Sequence, residues 1–136
     1  MSALRITLLV MLGVLLASAG WSLLHRAEPA PLPALRLEVQ NGCGAAGLAA
    51  LSAQRLTAVG MDVVRVGDAE HHGFARSVLV DRRGKVALTR RLAERIGPIT
   101  VVQARRSGSD VDCVLILGAD HASLRLVRQF TAHLGS

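Results

Sequence analysis

The chain has 136 residues, of which 51% are apolar and only 2% aromatic, with one tryptophan, two phenylalanines and no tyrosine. This length suits one small domain plus a membrane-directed segment, and the scarcity of aromatic rings argues against stacking platforms for nucleic-acid bases or sugar rings. The net charge of +6 rests on arginine, since Lys85 is the only lysine. Such a charge favours anionic partners, but it is lower than a dedicated nucleic-acid-binding protein usually carries.

Residues 1–26 are predicted to form a single membrane anchor. The segment 6–24 carries no charge, and at about 1.5 Å per residue it would extend roughly 28 Å, close to the hydrocarbon thickness of a bilayer. Arg5 and the terminal amine favour a cytoplasmic N-terminus. A cleaved signal peptide is the alternative, with Ala-Ser-Ala at 17–19 as its cleavage site. Both interpretations place residues 27–136 outside the cytoplasm.

A regular series of strands and helices follows a proline-rich stalk at 27–34. Gly60 and Gly97-Pro98 are placed to end two helices, and Asp120 is available to cap a third. Apolar periodicity predicts strands at 35–40, 61–67, 76–82, 99–105 and 111–118, and helices at 44–59, 85–96 and 122–134.

The order β-α-β-β-α-β-β predicts an α+β fold over residues 35–120, in which the helices pack on one mixed sheet. Residues 121–136 would add a C-terminal amphipathic helix. The short polar turn at 107–110 predicts an antiparallel hairpin between the last two strands. No internal repeat is visible in the sequence.

A glycine pattern follows the first strand. Gly42, Gly44 and Gly47 match the G-x-G-x-x-G of dinucleotide-binding domains, and Asp68 stands where those domains place a ribose-binding acid. That fold needs a helical crossover between its second and third strands, and residues 67–76 are too few for one. We therefore interpret the glycines as a tight turn, with Gly47 letting the helix pack close to the sheet. Phosphate or carboxylate binding by the amides at the helix start stays open.

Four segments carry a resemblance to a known family: 37–69, 77–85, 87–97 and 111–120. Their most specific parts are the Asn-Gly-x-Gly-x-x-Gly-Leu-Ala turn and the closing Leu-Gly-Ala-Asp. Together they resemble the LytR C-terminal domain, which is appended to bacterial LytR-CpsA-Psr envelope proteins and also occurs alone behind a membrane anchor. The resemblance implies an envelope location and an accessory role without a settled activity. About 100 exported residues leave no room for the phosphotransferase domain of full-length relatives. At position 43 the resemblance implies a small hydroxyl residue, and this chain has cysteine instead.

The cysteines and histidines suggest other chemistry. Cys43 and Cys113 would form a disulfide if the strands that carry them are antiparallel neighbours, and two free cysteines are the alternative. The histidine pair 71–72 lies beside two acids, but adjacent loop histidines point apart and no ligand pair has helical spacing, so no metal site is predicted. Hydrolase motifs are absent from the sequence, and we predict neither an enzyme nor a cofactor.

The arginines are the remaining candidates for a binding site, and they lie at positions 82, 83, 90, 91, 95, 105 and 106. A guanidinium fork pairs bidentately with phosphate or carboxylate. We therefore predict a non-catalytic, membrane-anchored envelope module that binds an anionic cell-wall or surface polymer. The candidate binding residues are Arg82, Arg83, Lys85, Arg90 and Arg91, together with Asn41, Gly42, Gly44 and Gly47. A solvated helix face is the plain alternative for the arginines, and a scaffold that recruits another envelope protein is the alternative function.

Overall fold

A computed structural model describes residues 2–25, 31 and 34–125 of the chain. The chain divides into two compact units, residues 1–31 and residues 32–136. In the first unit, α1 (Ser2–Leu24) is long and apolar enough to cross a membrane, and none of its side chains is buried. A signal sequence near an N-terminus would have the same properties. The proline-rich stalk falls mostly outside the described residues.

The second unit contains the predicted order of strands and helices. Its elements are β1 (Arg36–Asn41), α2 (Leu48–Ala58), β2 (Asp62–Asp68), β3 (Val78–Asp81), α3 (Val86–Ile96), β4 (Thr100–Gln103), β5 (Cys113–Leu117) and a 3-10 turn (His121–Ser123). The α+β fold, with one mixed sheet and helices packed on it, is therefore confirmed. The α2 helix begins four residues later than the periodicity predicts, because the residues before Leu48 form a turn.

The five strands form one sheet in the order β2-β1-β5-β3-β4. Neighbours are parallel except for β3 and β5, which are antiparallel. The predicted hairpin between the last two strands is wrong, because β3 lies between them. The β3-α3-β4 segment is a β-α-β crossover, which makes β3 and β4 parallel neighbours. The apolar run of β5 instead takes the centre of the sheet, where four of its five side chains are buried.

Both helices pack on the same face of the sheet. That face carries Leu37 and Val39 of β1, Leu79 of β3, and Leu115 and Leu117 of β5. The α2 and α3 helices each cover it with one face, and Val59 at the end of α2 is exposed. The buried helix side chains are Leu48, Ala49, Ser52, Ala53, Leu56, Thr89, Leu92, Ala93 and Ile96.

The chain after β5 returns to this core through Leu124, which is almost fully buried. Asp120 precedes the 3-10 turn, but its carboxylate makes no capping bond. It accepts hydrogen bonds from the backbone N–H (2.6 Å) and the hydroxyl (2.8 Å) of Ser77, so the predicted capping role is wrong. The predicted helix at 122–134 lies mostly outside the described residues.

Candidate functional site

The turn between β1 and α2 is built around the side chain of Asn41. Its Oδ1 accepts hydrogen bonds from the backbone N–H groups of Cys43 (3.2 Å) and Gly44 (3.0 Å), and its Nδ2 donates to the Ala45 carbonyl (2.7 Å). Gly44 has a φ of 75°, a conformation that costs glycine nothing. The amides of residues 43 and 44 are therefore committed to the turn itself and cannot serve an anion.

Gly42 is the glycine that close packing requires. Its N–H donates to the Leu117 carbonyl at 2.8 Å. An added Cβ would lie 2.7 Å from Cγ2 of Ile116 and 2.8 Å from Cδ2 of Phe74. Gly42 is thus used for close packing against β5 and Phe74. The close approach predicted for Gly47 is wrong, because that residue precedes α2 in open space and is used for its φ of 70°.

The turn between β3 and α3 has the same construction. The Oδ1 atom of Asp81 accepts hydrogen bonds from the N–H groups of Arg83 (3.0 Å), Gly84 (2.7 Å) and Lys85 (3.3 Å). Gly84 has a φ of 76°, matching Gly44 in the first turn. The two β-α units therefore share one turn design, although the sequence shows no repeat. The second turn differs in presenting arginines.

Four arginines meet at the carboxyl ends of β3 and β4. Asp81 pairs with Gln103 in the parallel register, so Arg82-Arg83 after β3 and residues 104–106 after β4 lie side by side. Backbone hydrogen bonds join them, from the Arg106 N–H to the Arg82 carbonyl (3.0 Å) and from the Ala104 N–H to the Asp81 carbonyl (3.0 Å). They enclose an open cavity of about 410 Å³, which we call the arginine groove. Its lining is Arg82, Arg83, Arg105, Arg106, Ser107, Gly108 and Ser109.

One of these guanidinium groups is held by the fold, since Arg82 donates from its NH1 to the Ala104 carbonyl at 3.2 Å. The exposed Arg105 guanidinium lies across Gly84, where an added Cβ would come within 2.5 Å of it. The φ of 76° favours glycine at position 84, and the absence of a side chain leaves room for Arg105 in this position.

The predicted candidates do not form one site. Asn41 pairs with Leu117 at one end of β5, while Asp81 pairs with Cys113 at the other. The glycine turn and the arginine groove are therefore at opposite ends of the sheet, about 13 Å apart along the strands at roughly 3.3 Å per residue. Arg90 and Arg91 are exposed on α3 but do not line the groove. Arg105 and Arg106 do line it, although sequence reasoning did not assign them to the site.

The domain matches, over residues 34–121, the family model described as LytR cell envelope-related transcriptional attenuator. The chain belongs to this family. No curated protein and no solved structure matches it. The LytR C-terminal domain spans the whole five-stranded sheet, and hence both the glycine turn and the arginine groove.

Lys85 has a structural partner in this LytR C-terminal domain. Its Nζ lies 2.9 Å from Oδ1 of Asp112, and Nε of Arg83 lies 3.9 Å from the same atom. The other oxygen of Asp112 accepts the Arg36 N–H at 2.9 Å. Burial raises the pKa of Asp112, but the Arg36 N–H and the cations of Lys85 and Arg83 outweigh it and leave the pKa below its ordinary value. Lys85 is therefore paired with this buried carboxylate and does not line the groove.

The condition for a disulfide is not met, and both cysteines are free. Since β1 and β5 are parallel, Cys113 pairs with Leu37 at the start of β1, whereas Cys43 follows the end of β1. The Cys113 Sγ atom lies 3.3 Å from Oγ1 of Thr89, and burial raises the pKa of this thiol.

The histidine loop covers the glycine turn of the LytR C-terminal domain. His71 stacks on Phe74 with ring centroids 4.6 Å apart, and Nε2 of His72 lies 3.7 Å from Oδ1 of Asp68. Within residues 2–25 and 34–125, no group of three His, Cys, Asp or Glu side chains could hold a metal ion. The loop therefore supports the turn by packing.

Proposed function

We propose that this member of the LytR C-terminal domain family is a non-catalytic, membrane-anchored module of the cell envelope, and that its arginine groove binds an anionic cell-wall or surface polymer. The observation that supports the proposal is the meeting of Arg82, Arg83, Arg105 and Arg106 around one cavity. Guanidinium forks bind phosphate and carboxylate bidentately, and four of them along one groove suit a chain of repeated anions.

The groove keeps its charge available. Among the described residues, no ion pair engages the side chains of Arg105 or Arg106. The buried carboxylate of Asp112 is paired with Lys85 and lies 3.9 Å from Nε of Arg83. Asp81 lies fully buried beneath the turn and accepts three backbone N–H groups. An incoming anion would therefore meet the guanidinium groups of Arg105 and Arg106, which need not first release an acidic partner.

The surroundings of Cys43 support a non-catalytic role. Its Sγ lies 3.9 Å from Nδ1 of His121, the distance of a loose thiol–imidazole contact. The same Nδ1 is 3.0 Å from the Gly118 carbonyl, an acceptor that requires an N–H on this nitrogen. His121 in this orientation cannot take the thiol proton through Nδ1, so the pair lacks the base that an activated cysteine needs.

The membrane arrangement is part of the proposal. The α1 helix would anchor the chain, with Arg5 on the cytoplasmic side and the LytR C-terminal domain exported. Protease treatment of intact cells that express the chain with a C-terminal tag tests this orientation. Loss of the tag from intact cells is expected, and protection until the membrane is opened would contradict an exported domain.

Sedimentation with purified cell walls tests polymer binding. The full chain in detergent should pellet with the walls at low salt and be released as the ionic strength rises, because surface charge interactions are screened. The double variant Arg105→Ser/Arg106→Ser should lose this binding. The matched control is Arg90→Ser/Arg91→Ser, which removes the same charge from exposed positions outside the groove and should keep most of it.

Two results would overturn the groove as the binding site. One is an absence of wall binding at any ionic strength. The other is an equal loss in both double variants, which would mean that overall charge rather than the groove controls association. Circular dichroism of each variant checks that the fold is retained.

The alternative role, recruitment of another envelope protein, is favoured by an apolar surface at the β2 edge of the sheet. Val66 on β2 is 46% exposed and Leu51 on α2 is 45% exposed. Between these elements lies an open cavity of about 530 Å³, lined mainly by alanine and valine side chains. Exposed apolar patches commonly mark protein contacts. Photocrosslinking from position 66 in membranes should capture a partner if this role is correct, whereas an uncrosslinked chain would contradict it.

A further inference from the structure

A second cavity adjoins the arginine groove on the face of the sheet that the helices leave uncovered. It has a volume of about 360 Å³ and we call it the polar cavity. It shares Arg82, Arg106 and residues 107–109 with the groove, so the two form one continuous depression around the 107–110 turn. Its other lining residues are Glu38, Gln40, Arg65, Asp110, Val111 and Val114.

The wall of the polar cavity is a connected chain of donors and acceptors. Nε2 of Gln40 donates to Oε1 of Glu38 at 2.9 Å, and NH1 of Arg65 donates to the other oxygen of Glu38 at 3.0 Å. NH2 of Arg65 donates to Oδ2 of Asp110 at 2.6 Å. The Glu38 side chain is only 12% exposed, so the centre of this wall is held in place before any ligand arrives, whereas Arg65 and Asp110 form its solvent-exposed end.

This wall suits hydroxyl groups better than further anions. Glu38 and Asp110 place carboxylates in the cavity, which would repel a phosphate. A hydroxyl both donates and accepts, and it can bridge a carboxylate and a neighbouring guanidinium or amide. Val111 and Val114 provide an apolar part of the lining against which carbon atoms can lie. Among the described residues, no aromatic ring lines the cavity, so recognition would come from hydrogen bonds instead of stacking.

We infer that the polar cavity binds a hydroxyl-bearing unit, a sugar or a polyol, of the same polymer whose anion occupies the arginine groove. The inference rests on the proposed function, since the groove supplies the anion site. The ligand class is then a polymer in which anionic groups alternate with hydroxyl-bearing units, and a bare polyanion would fill only half of the depression.

Two polymers with matched numbers of phosphates separate these possibilities. Fluorescence anisotropy would measure how the full chain in detergent binds inorganic polyphosphate and poly(glycerol phosphate). We expect the hydroxyl-bearing polymer to bind about tenfold more tightly, the effect of one or two additional hydrogen bonds. Gln40→Ala and the isosteric Glu38→Gln should remove this preference. Polyphosphate affinity should be kept in the first variant and should not fall in the second, which loses a carboxylate that repels phosphate. Gln54→Ala, on α2 at the opposite face of the sheet, is the matched control and should retain it.

The outcomes distinguish this inference from the function on which it rests. Equal binding of the two polymers by the unaltered chain, or a preference that survives in both cavity variants, would overturn the hydroxyl site and leave the arginine groove standing. Binding of neither polymer would overturn both. Two cavity variants are used, with circular dichroism, so that misfolding of one does not decide the result.

Discussion

Asn41 and Asp81 occupy equivalent positions in the two β-α turns of the LytR C-terminal domain, but only Asn41 uses both of its side-chain polar atoms. Each Oδ1 accepts the N–H groups that follow it. Nδ2 of Asn41 then donates to the Ala45 carbonyl, whereas Oδ2 of Asp81 is buried without a hydrogen-bond partner among the described residues. The same turn is thus closed by an amide in one unit and by a carboxylate in the other.

This difference predicts unequal effects of exchanging the two residues. Asp81→Asn keeps the Oδ1 acceptor and replaces an unpartnered buried oxygen with a donor, so we expect a change of less than about 1 kcal/mol in the free energy of unfolding. Asn41→Asp loses the bond to Ala45 and buries a charge, and should cost about 1–3 kcal/mol. Urea unfolding followed by circular dichroism measures both. A larger loss for Asp81→Asn would show that its charge is what holds the second turn.

The glycines of the first turn should also differ in their tolerance of a side chain. Gly42→Ala would place a Cβ 2.9 Å from the Leu117 carbonyl oxygen, a backbone atom that cannot move away cheaply. Gly47→Ala meets no atom within 4 Å and suffers only from its positive φ, so it should cost about 1 kcal/mol. We expect Gly42→Ala to cost clearly more, at least about 2 kcal/mol, as overpacked sites do. Equal losses in thermal unfolding would contradict the packing role of Gly42.

Local patterns were enough to predict the elements of this fold. The apolar periodicity that predicts β1 and α3 depends on neighbouring residues alone, and both elements were confirmed. The order of the strands in the sheet was harder to predict. The segment before β5 looked like a hairpin turn because its polar residues are short and flexible, but strand pairing is decided by distant contacts that the local pattern does not contain.

The candidate site was only partly predictable for the same reason. Arg82 and Arg83 could be chosen from their charge, whereas Arg105 and Arg106 join them only because β3 and β4 are parallel neighbours. The helix predicted between β3 and β4 was the signal in the sequence, because a β-α-β crossover joins parallel strands and would place Arg105 and Arg106 beside Arg82 and Arg83. The buried pairing that commits Lys85 to Asp112 had no sequence signal, since the two residues lie far apart along the chain.

That pairing predicts a pH dependence of stability. The pKa of Asp112 is lower in the folded chain than in the unfolded chain, where an aspartate titrates near pH 4. Its stabilising contribution is therefore present above about pH 4 and is lost as the pH falls through the lower pKa of the folded state. Asp112→Asn should cost about 1–3 kcal/mol at neutral pH, and the difference from the unaltered chain should shrink toward pH 2.

Urea unfolding at several pH values would measure this dependence. Asp110→Asn is the matched control, because Asp110 is 58% exposed and its pair with Arg65 is screened by solvent. That variant should differ from the unaltered chain by less than about 1 kcal/mol at every pH. A penalty for Asp112→Asn that stays constant down to pH 2 would show that shape, and not ionisation, is what Asp112 contributes.

The two cysteines should react at very different rates. Cys113 is fully buried at the centre of the sheet and burial raises the pKa of its thiol, so little reactive thiolate is present. Cys43 lies in the partly exposed turn after β1. A chromogenic disulfide reagent added to the native chain should therefore modify one thiol quickly and the second only at the rate of unfolding. Cys43→Ser should abolish the fast phase alone, because it leaves the buried thiol in place. Two equally fast thiols, or a disulfide in non-reducing mass mapping, would contradict the parallel register that separates the two residues.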